Sequence, residues 1–102
     1  MSIIEITPDE VRQRRREGTT LLLLDVREPA EVEAWAYPDA MTIPLGLLED
    51  RLNELPQDRL VVCACRSGGR SAAAAELLDR HGFSAANLVG GELEWQATEQ
   101  DR

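Results

Sequence analysis

Short aliphatic runs alternate with segments of helical periodicity along the chain. The clearest run, Leu21 to Leu24, has no polar alternation, as is typical of a strand covered on both faces, and it stops at Asp25. A second run, Leu60 to Ala64, is followed at once by Cys65. Shorter strand candidates lie at Met41 to Ile43 and at Ala86 to Val89.

The segments between these runs carry helix signals. Thr7-Pro8-Asp9-Glu10 has the form of a capping box and predicts a helix to Glu17, which Gly18 ends. Pro29 begins another helix through Ala34. Further helices are predicted over Leu47 to Leu55, over Ser71 to His81 and after Gly90-Gly91. This alternation indicates an α/β fold of three layers, with a central, mainly parallel sheet of about five strands flanked by helices.

Length and charge narrow the class of protein. At 102 residues the chain suits one compact domain, which we expect to span residues 1–102. A net charge of −8 argues against a nucleic-acid partner, and the basic run Arg12 to Arg16 is expected to be a solvated helix face. Neither a secretory signal nor a membrane-spanning run is present in the sequence, so we expect a cytoplasmic protein without a membrane partner.

The two cysteines, Cys63 and Cys65, are separated by one residue and cannot close a long loop as a disulfide. A metal site needs more ligands than these two and the distant His81, so no metal is expected, and no motif calls for a cofactor. Cys63 is interpreted as a core residue of its strand. If the strand geometry continues to Cys65, the two side chains share a face, which leaves a resolving role for Cys63 open.

The candidate chemistry lies in the loop Cys65-Arg66-Ser67-Gly68-Gly69-Arg70-Ser71. Its glycines allow backbone amides to turn inward as an anion-binding nest, and the following helix adds its positive N-terminal end. Together with Arg66 and Arg70, these groups favour a thiolate. We therefore expect the pKa of Cys65 to fall below the ordinary value of ~8.5.

This loop, at a strand end and before an Ala-rich helix, resembles the active loop of the rhodanese homology domain. The resemblance extends to other motifs in the same order: Asp25-Val26-Arg27-Glu28-Pro29 with Glu31, Pro38 and Ala40 with Ile43-Pro44, and Gly90-Gly91 with Trp95. Where that family usually has Gly-His-Ile-Pro-Gly-Ala, this chain has Trp35-Ala36-Tyr37-Pro38-Asp39-Ala40, and Asp39 is able to take the left-handed conformation.

The resemblance implies a sulfurtransferase in which Cys65 is the catalytic nucleophile and carries sulfur as a persulfide. The donor would be a small molecule such as thiosulfate, and the acceptor a thiol, including a protein thiol, or cyanide. Substrate binding would fall to the loop residues, namely Arg66, Ser67, Gly68, Gly69, Arg70 and Ser71. The alternative is a persulfide carrier or docking module that serves a partner protein with little thiosulfate turnover.

The length of the loop separates sulfur transfer from phosphate chemistry. Related phosphatase and arsenate-reductase loops place five residues between the cysteine and the phosphate-binding arginine. Here four residues separate Cys65 from Arg70, and the next position is Ser71. A phosphatase is therefore disfavoured.

Charged residues near the strand ends are interpreted mainly as structural support. Arg70 at a helix start opposes the helix dipole, so we expect it to pair with Asp25 or Glu31. Asp25 and Arg27 are likewise expected to be scaffold. Arg66 is the better candidate for meeting an anionic donor at the mouth of the site.

Overall fold

The computed structural model describes residues 3–99. Within them five strands alternate with five α-helices, and a 3-10 helix covers residues 49–54. The strands are β1 (Ile4–Ile6), β2 (Leu21–Asp25), β3 (Ala40–Thr42), β4 (Leu60–Ala64) and β5 (Ala85–Leu88). The α-helices are α1 (Pro8–Arg16), α2 (Pro29–Ala34), α3 (Leu45–Leu48), α4 (Gly69–Arg80) and α5 (Gly91–Glu99). None of these helices is long and apolar enough to cross a bilayer.

The strands form one parallel sheet in the order β1-β5-β4-β2-β3. The predicted three-layer α/β fold is thus confirmed. Strand β4 is in the middle, hydrogen-bonded to β2 on one side and to β5 on the other. Because all strands run the same way, the loops that follow them gather at one edge of the sheet, where sites of such folds lie.

Side chains of β4 alternate between two apolar clusters, one on each face of the sheet. Val61 and Cys63 belong to one cluster, and Val62 and Ala64 belong to the other. The first cluster also contains Leu48 of α3 and Ala74, Ala75 and Leu78 of α4, whereas the second contains Val11 of α1 and Trp95 of α5. Both faces are covered, which explains why β2 and β4 read as uninterrupted aliphatic runs.

Strand β1 was not anticipated. It has three residues, of which only Ile6 is buried, and so it carries no periodicity that a sequence pattern could reveal. It belongs to the sheet because it pairs in parallel with β5, with Ile4 opposite Ala86 and Ile6 opposite Leu88.

The prediction of a single helix over Leu47 to Leu55 is wrong. The segment is the short helix α3 followed by the 3-10 helix, and Arg51 leaves helical geometry with φ −123° and ψ 20°. Leu55 follows the 3-10 helix in an extended conformation, and both it and Leu52 still pack with the first apolar cluster.

The expectation that Arg12 to Arg16 form a solvated face is wrong for two of them. The Arg12 guanidinium lies 4.5 Å from the centre of the Trp95 ring and donates hydrogen bonds to the Trp95 carbonyl and to Thr98. Arg15 donates to the carbonyl oxygens of Pro38 and Asp39. Their long side chains connect α1 to neighbouring elements, which charge patterning along one helix does not reveal.

The capping box of α1 gives a direct test of the local sequence signal. The Thr7 hydroxyl accepts from the Glu10 amide at 3.1 Å, and the Glu10 carboxylate accepts from the Thr7 amide at 3.0 Å. We expect Thr7→Ala to lower the free energy of unfolding by about 1 kcal/mol, measured by urea denaturation. Thr20→Ala, at an exposed position before β2, is the control and should change it by less than about 0.5 kcal/mol. Equal losses in both variants would contradict the capping role.

Candidate active site

Cys65 is the first residue beyond β4, at the carboxyl edge of the central strand, and only 1% of its surface is accessible. The chain turns through Arg66 and Ser67 to Gly68, which caps α4 with φ +112°. That backbone conformation strongly favours glycine. The turn returns the first residues of α4 to the cysteine side chain, so the sulfur lies at the floor of a short loop.

The sulfur of Cys65 is surrounded by hydrogen-bond donors. The Gly68 amide lies 3.1 Å and the Ser71 amide 3.4 Å from Sγ, and Ser71 Oγ lies 3.2 Å away. Burial by itself would raise the pKa of the thiol, but the hydrogen bonds from the Ser71 hydroxyl and from the amides of Ser71, Gly68 and Ser67 outweigh it and lower the pKa of Cys65. The thiolate is thus favoured by the Ser71 hydroxyl, when its proton points to sulfur, and by the loop amides.

Cys63 has the opposite environment. Its side chain is fully buried in the same apolar cluster as Cys65, so the two cysteines do share a face. Burial, with a smaller contribution from the nearby Cys65, raises the pKa of Cys63 to about 12. The chain therefore holds two thiols two residues apart: Cys65, just beyond β4, is suited to ionise, and Cys63, within β4, stays neutral.

The back of the loop is fixed by hydrogen bonds to its carbonyl groups. The Cys65 carbonyl accepts from the Tyr37 hydroxyl at 2.6 Å and from the Glu92 amide at 2.9 Å. The Arg66 carbonyl accepts from the Leu93 amide at 3.3 Å. A Cβ at Gly91 would lie 2.6 Å from both carbonyl oxygens, so the first turn of α5 approaches this closely only because residue 91 is glycine. With the carbonyls held behind, the amides face the sulfur.

A buried guanidinium ties the surrounding elements together. Arg27 is 1% exposed and donates to the Asp25 carboxylate at 2.7 Å and to the Glu92 carboxylate at 2.8 Å. It also donates to the main-chain carbonyls of Glu31 and Trp35. Burial opposes its charge, but the carboxylates, Asp25 first, outweigh that cost and raise the pKa of Arg27.

Arg70 pairs with Glu31, one of the two carboxylates named for it from the sequence. Both Glu31 oxygens accept from the guanidinium, at 2.7 and 2.8 Å. The hydrogen bond from Arg70, followed by one from the Glu28 backbone, lowers the pKa of Glu31 to about 2. Asp25 instead belongs to the Arg27 cluster, so the two candidate partners are divided between two arginines.

The other residues named from the sequence differ in exposure. Arg66 and Ser67 are exposed, and across residues 3–99 no hydrogen bond or ion pair engages the Arg66 guanidinium. Gly69 is an exposed first residue of α4. Asp39 takes the left-handed conformation with φ +55°, as the altered stretch before β3 allows.

Three residues near the loop were not singled out from the sequence: Tyr37, Asn87 and Glu92. The Asn87 amide oxygen accepts from the Ser71 hydroxyl at 2.6 Å. One signal was available for it, because a polar residue inside the otherwise apolar run of β5 must find a buried partner. Tyr37 and Glu92 depend on contacts between distant elements and carry no such signal.

A pocket of about 270 Å³ opens at the same edge of the sheet, beyond the ends of β2 and β3. Its lining residues are Arg27, Pro29, Val32, Glu33, Thr42 and Pro44. None of them belongs to the Cys65 loop, so the thiol does not line this pocket.

Comparison with known proteins agrees with this geometry. The rhodanese-like domain model matches residues 7–98. A sulfurtransferase of Allochromatium vinosum is 40% identical over 92 residues, which are 89% of this chain and 86% of that protein. The thiosulfate sulfurtransferase GlpE of Pseudomonas syringae is 32% identical over 94 residues, which are 91% of this chain and 87% of that protein. A rhodanese-like domain protein of Staphylococcus aureus superposes with a TM-score of 0.86 at 31% identity, with 91% of each chain covered.

A parallel sheet with a cysteine loop at the carboxyl end of its central strand defines a class of α/β proteins whose candidate site lies at that edge of the sheet. Within this class, the chain belongs to the rhodanese-like domain family. The Allochromatium vinosum and Pseudomonas syringae relatives are both named sulfurtransferases, so sulfur transfer is the chemistry to which the family points.

The opposite environments of the two thiols predict different reactivity. In a Cys63→Ala variant, iodoacetamide alkylation of Cys65 against pH should have its midpoint below ~8.5, because hydrogen bonds stabilise the thiolate. In a Cys65→Ala variant, Cys63 should remain unmodified up to pH 9 in the folded protein, since its pKa is about 12. Mass spectrometry follows both reactions. A Cys65 midpoint at or above that of a free thiol would contradict the claim that hydrogen bonds from the loop stabilise the thiolate.

The Glu31–Arg70 pair predicts a stability effect with a defined pH range. The pKa of Glu31 is about 2 in the folded chain and 4.5 ordinarily, so its contribution is present above pH 4.5 and is lost as the pH falls toward about 2. We expect Glu31→Gln to cost about 1 kcal/mol of unfolding free energy at pH 7 and much less near pH 3, measured in urea. Glu33→Gln, exposed on the same helix, is the control. A loss that does not depend on pH would contradict the ionic role.

Proposed function

We propose that this chain is a sulfurtransferase that moves sulfane sulfur from a thiosulfate-type donor to a thiol or cyanide through a persulfide on Cys65. The observation that carries the proposal is the position of the Cys65 sulfur, within 3.4 Å of the amides of Gly68 and Ser71. The same donors that favour a thiolate would stabilise the negative charge of a persulfide.

The reaction would take place in two displacements. The Cys65 thiolate attacks the outer sulfur of thiosulfate, the sulfur–sulfur bond of the donor breaks, and sulfite leaves with the bonding electron pair. Cys65 then carries a persulfide anion. A thiolate or cyanide attacks its terminal sulfur, the bond to Sγ breaks, and the electron pair returns to Cys65 as thiolate. A general base is not needed, because the nucleophile is ionised before it attacks.

Binding of an anionic donor would fall to the loop. Ser67, Gly68, Gly69 and Ser71 would offer main-chain amides, and the exposed Arg66 would offer a mobile positive charge in a chain with net charge −8. Since only 1% of the Cys65 surface is accessible, a small donor fits this site better than a bulky one. The name of the Pseudomonas syringae relative supports thiosulfate as that donor.

The state of Arg70 supports sulfur transfer over phosphate chemistry. Phosphate hydrolysis on such a loop needs an arginine fork free to hold the equatorial oxygens. Here both nitrogens at the tip of Arg70 are bonded to Glu31, and four residues separate it from Cys65. We therefore propose that Arg70, like Asp25, Arg27 and Glu31, supports the loop and does not bind the transferred group.

We also propose that residues 1–102 act as one domain, because strands near both ends of the chain, β1 and β5, pair in the same sheet. Two free cysteines suit the reducing conditions of the cytoplasm, which we propose as the location.

Sulfur loading gives the test. Incubation with thiosulfate should add one sulfur atom, about 32 mass units, to the unaltered protein and none to Cys65→Ala. Added cyanide should then yield thiocyanate in repeated turnovers. Cys63→Ala is the matched control and should load normally, because Cys63 is buried and neutral.

Failure of the unaltered protein to take up sulfur would overturn the proposal. Uptake without thiocyanate turnover would instead favour the persulfide carrier that serves a partner protein.

A further inference from the structure

A chain of hydrogen bonds leads from the Cys65 sulfur through the sheet to its outer edge. Ser71 Oγ lies 3.2 Å from Sγ, and the Ser71 hydroxyl donates to the amide oxygen of Asn87 at 2.6 Å. The Asn87 amide nitrogen donates to the Glu5 carboxylate at 3.4 Å. Ser71 is fully buried and Asn87 is 5% exposed, whereas Glu5 is exposed on the edge strand β1.

Strand register explains why these groups meet. Asn87 of β5 lies opposite Cys63 on one side and opposite Glu5 on the other. Its side chain therefore connects the middle of the sheet with the edge. Strand β1, which has only one buried residue, supplies the last acceptor of the chain.

The Ser71 hydroxyl has a single proton, so it can donate to only one partner at a time. While that proton goes to Asn87, Ser71 has only lone pairs to offer to sulfur, and it accepts from the thiol of Cys65. A thiolate is an acceptor only. To stabilise it, the Ser71 hydroxyl must turn its proton toward sulfur. The serine and Asn87 oxygens, 2.6 Å apart, then face each other with lone pairs and no proton between them, unless the Asn87 amide rotates.

We propose that Asn87 is a positioning residue that controls, through the single proton of Ser71, whether that hydroxyl donates a hydrogen bond to the Cys65 sulfur. Glu5 sets the resting state. By accepting from the amide nitrogen of Asn87, it holds the amide oxygen toward Ser71 and thus keeps the serine proton away from sulfur. Ionisation of Cys65 would then be accompanied by rotation of the Asn87 amide and release of Glu5.

This control is separate from the other charged and titratable groups around the thiol. Arg70 is bonded to Glu31, Tyr37 donates to the Cys65 carbonyl, and Cys63 is neutral in the core. The main-chain amides of Gly68 and Ser71 point at sulfur, and their direction is fixed by the backbone and not by the serine proton. Among the donors to sulfur in residues 3–99, the Ser71 hydroxyl is the one with a second acceptor within reach, so Asn87 adjusts a site that the loop has already built.

The test is the pH midpoint of Cys65 alkylation by iodoacetamide, measured in a Cys63→Ala background so that one thiol reports. Asn87→Ala removes the competing acceptor and frees the serine proton for the thiolate. We expect the midpoint to fall by about 1 pH unit, as a hydrogen bond to a charged acceptor would cause. In the Ser71→Ala background the same substitution should change it by less than about 0.2 pH unit.

Glu5→Ala provides a second variant at an exposed position, in case Asn87→Ala does not fold. It removes the acceptor that holds the Asn87 amide nitrogen, so the amide is free to rotate. The midpoint should again fall, by about 0.5 pH unit, and the shift should vanish with Ser71→Ala. A shift that persists without the Ser71 hydroxyl would mean that the Glu5 charge acts through space, and the proposal would be wrong. An unchanged or raised midpoint with intact Ser71 would also overturn it.

The meaning of this control for catalysis rests on the proposed sulfur transfer, but alkylation does not require any transfer. If the alkylation midpoints shift as expected but thiosulfate adds no sulfur to Cys65, the proposed function alone is wrong. Sulfur loading without those shifts would count against the role of Asn87 alone.

Discussion

The buried charge of Arg27 is the constraint on which the arrangement of this edge of the sheet depends. A guanidinium with 1% exposure is tolerated only if its donors are matched, and its partners come from three different parts of the chain: Asp25 at the end of β2, Glu92 in α5 and the carbonyls around α2. Removal of one partner would leave a buried charge unmatched. The helix that holds the back of the Cys65 loop is thereby tied to the strand next to β4.

That connection matters because the environment of the thiol is made mostly by the main chain. Amides of Gly68 and Ser71 face the sulfur, while the amides of Glu92 and Leu93 hold the carbonyls on the other side of the same loop. Main-chain dipoles fixed in this way need no reorganisation when charge develops on the sulfur. An acidic chain can therefore hold a thiolate without a general excess of positive charge near it.

The features predicted from sequence are those with a local cause. The run Leu21 to Leu24 identified a strand covered on both faces, and the glycine loop after Cys65 identified the candidate site, because both depend on neighbouring residues. Strand β1 and the packing of Arg12 on Trp95 depend on partners far along the chain, and no local pattern marks them. Asn87 is intermediate: a polar residue in an apolar strand implies a polar partner, but only the packing of α4 on the sheet shows that this partner is Ser71.

The hydrogen bonds from α5 to the Cys65 and Arg66 carbonyls have a consequence for biosynthesis. Cys65 is added to the growing chain before Glu92 and Leu93, and β5, which pairs with β4, also follows later. Until those segments dock, the loop lacks the hydrogen bonds from Glu92 and Leu93, and the Tyr37 hydroxyl is the remaining described donor to its carbonyls. Nascent or misfolded copies would thus lack the hydrogen bonds that lower the pKa of Cys65, and an activated thiolate would appear only with the completed fold.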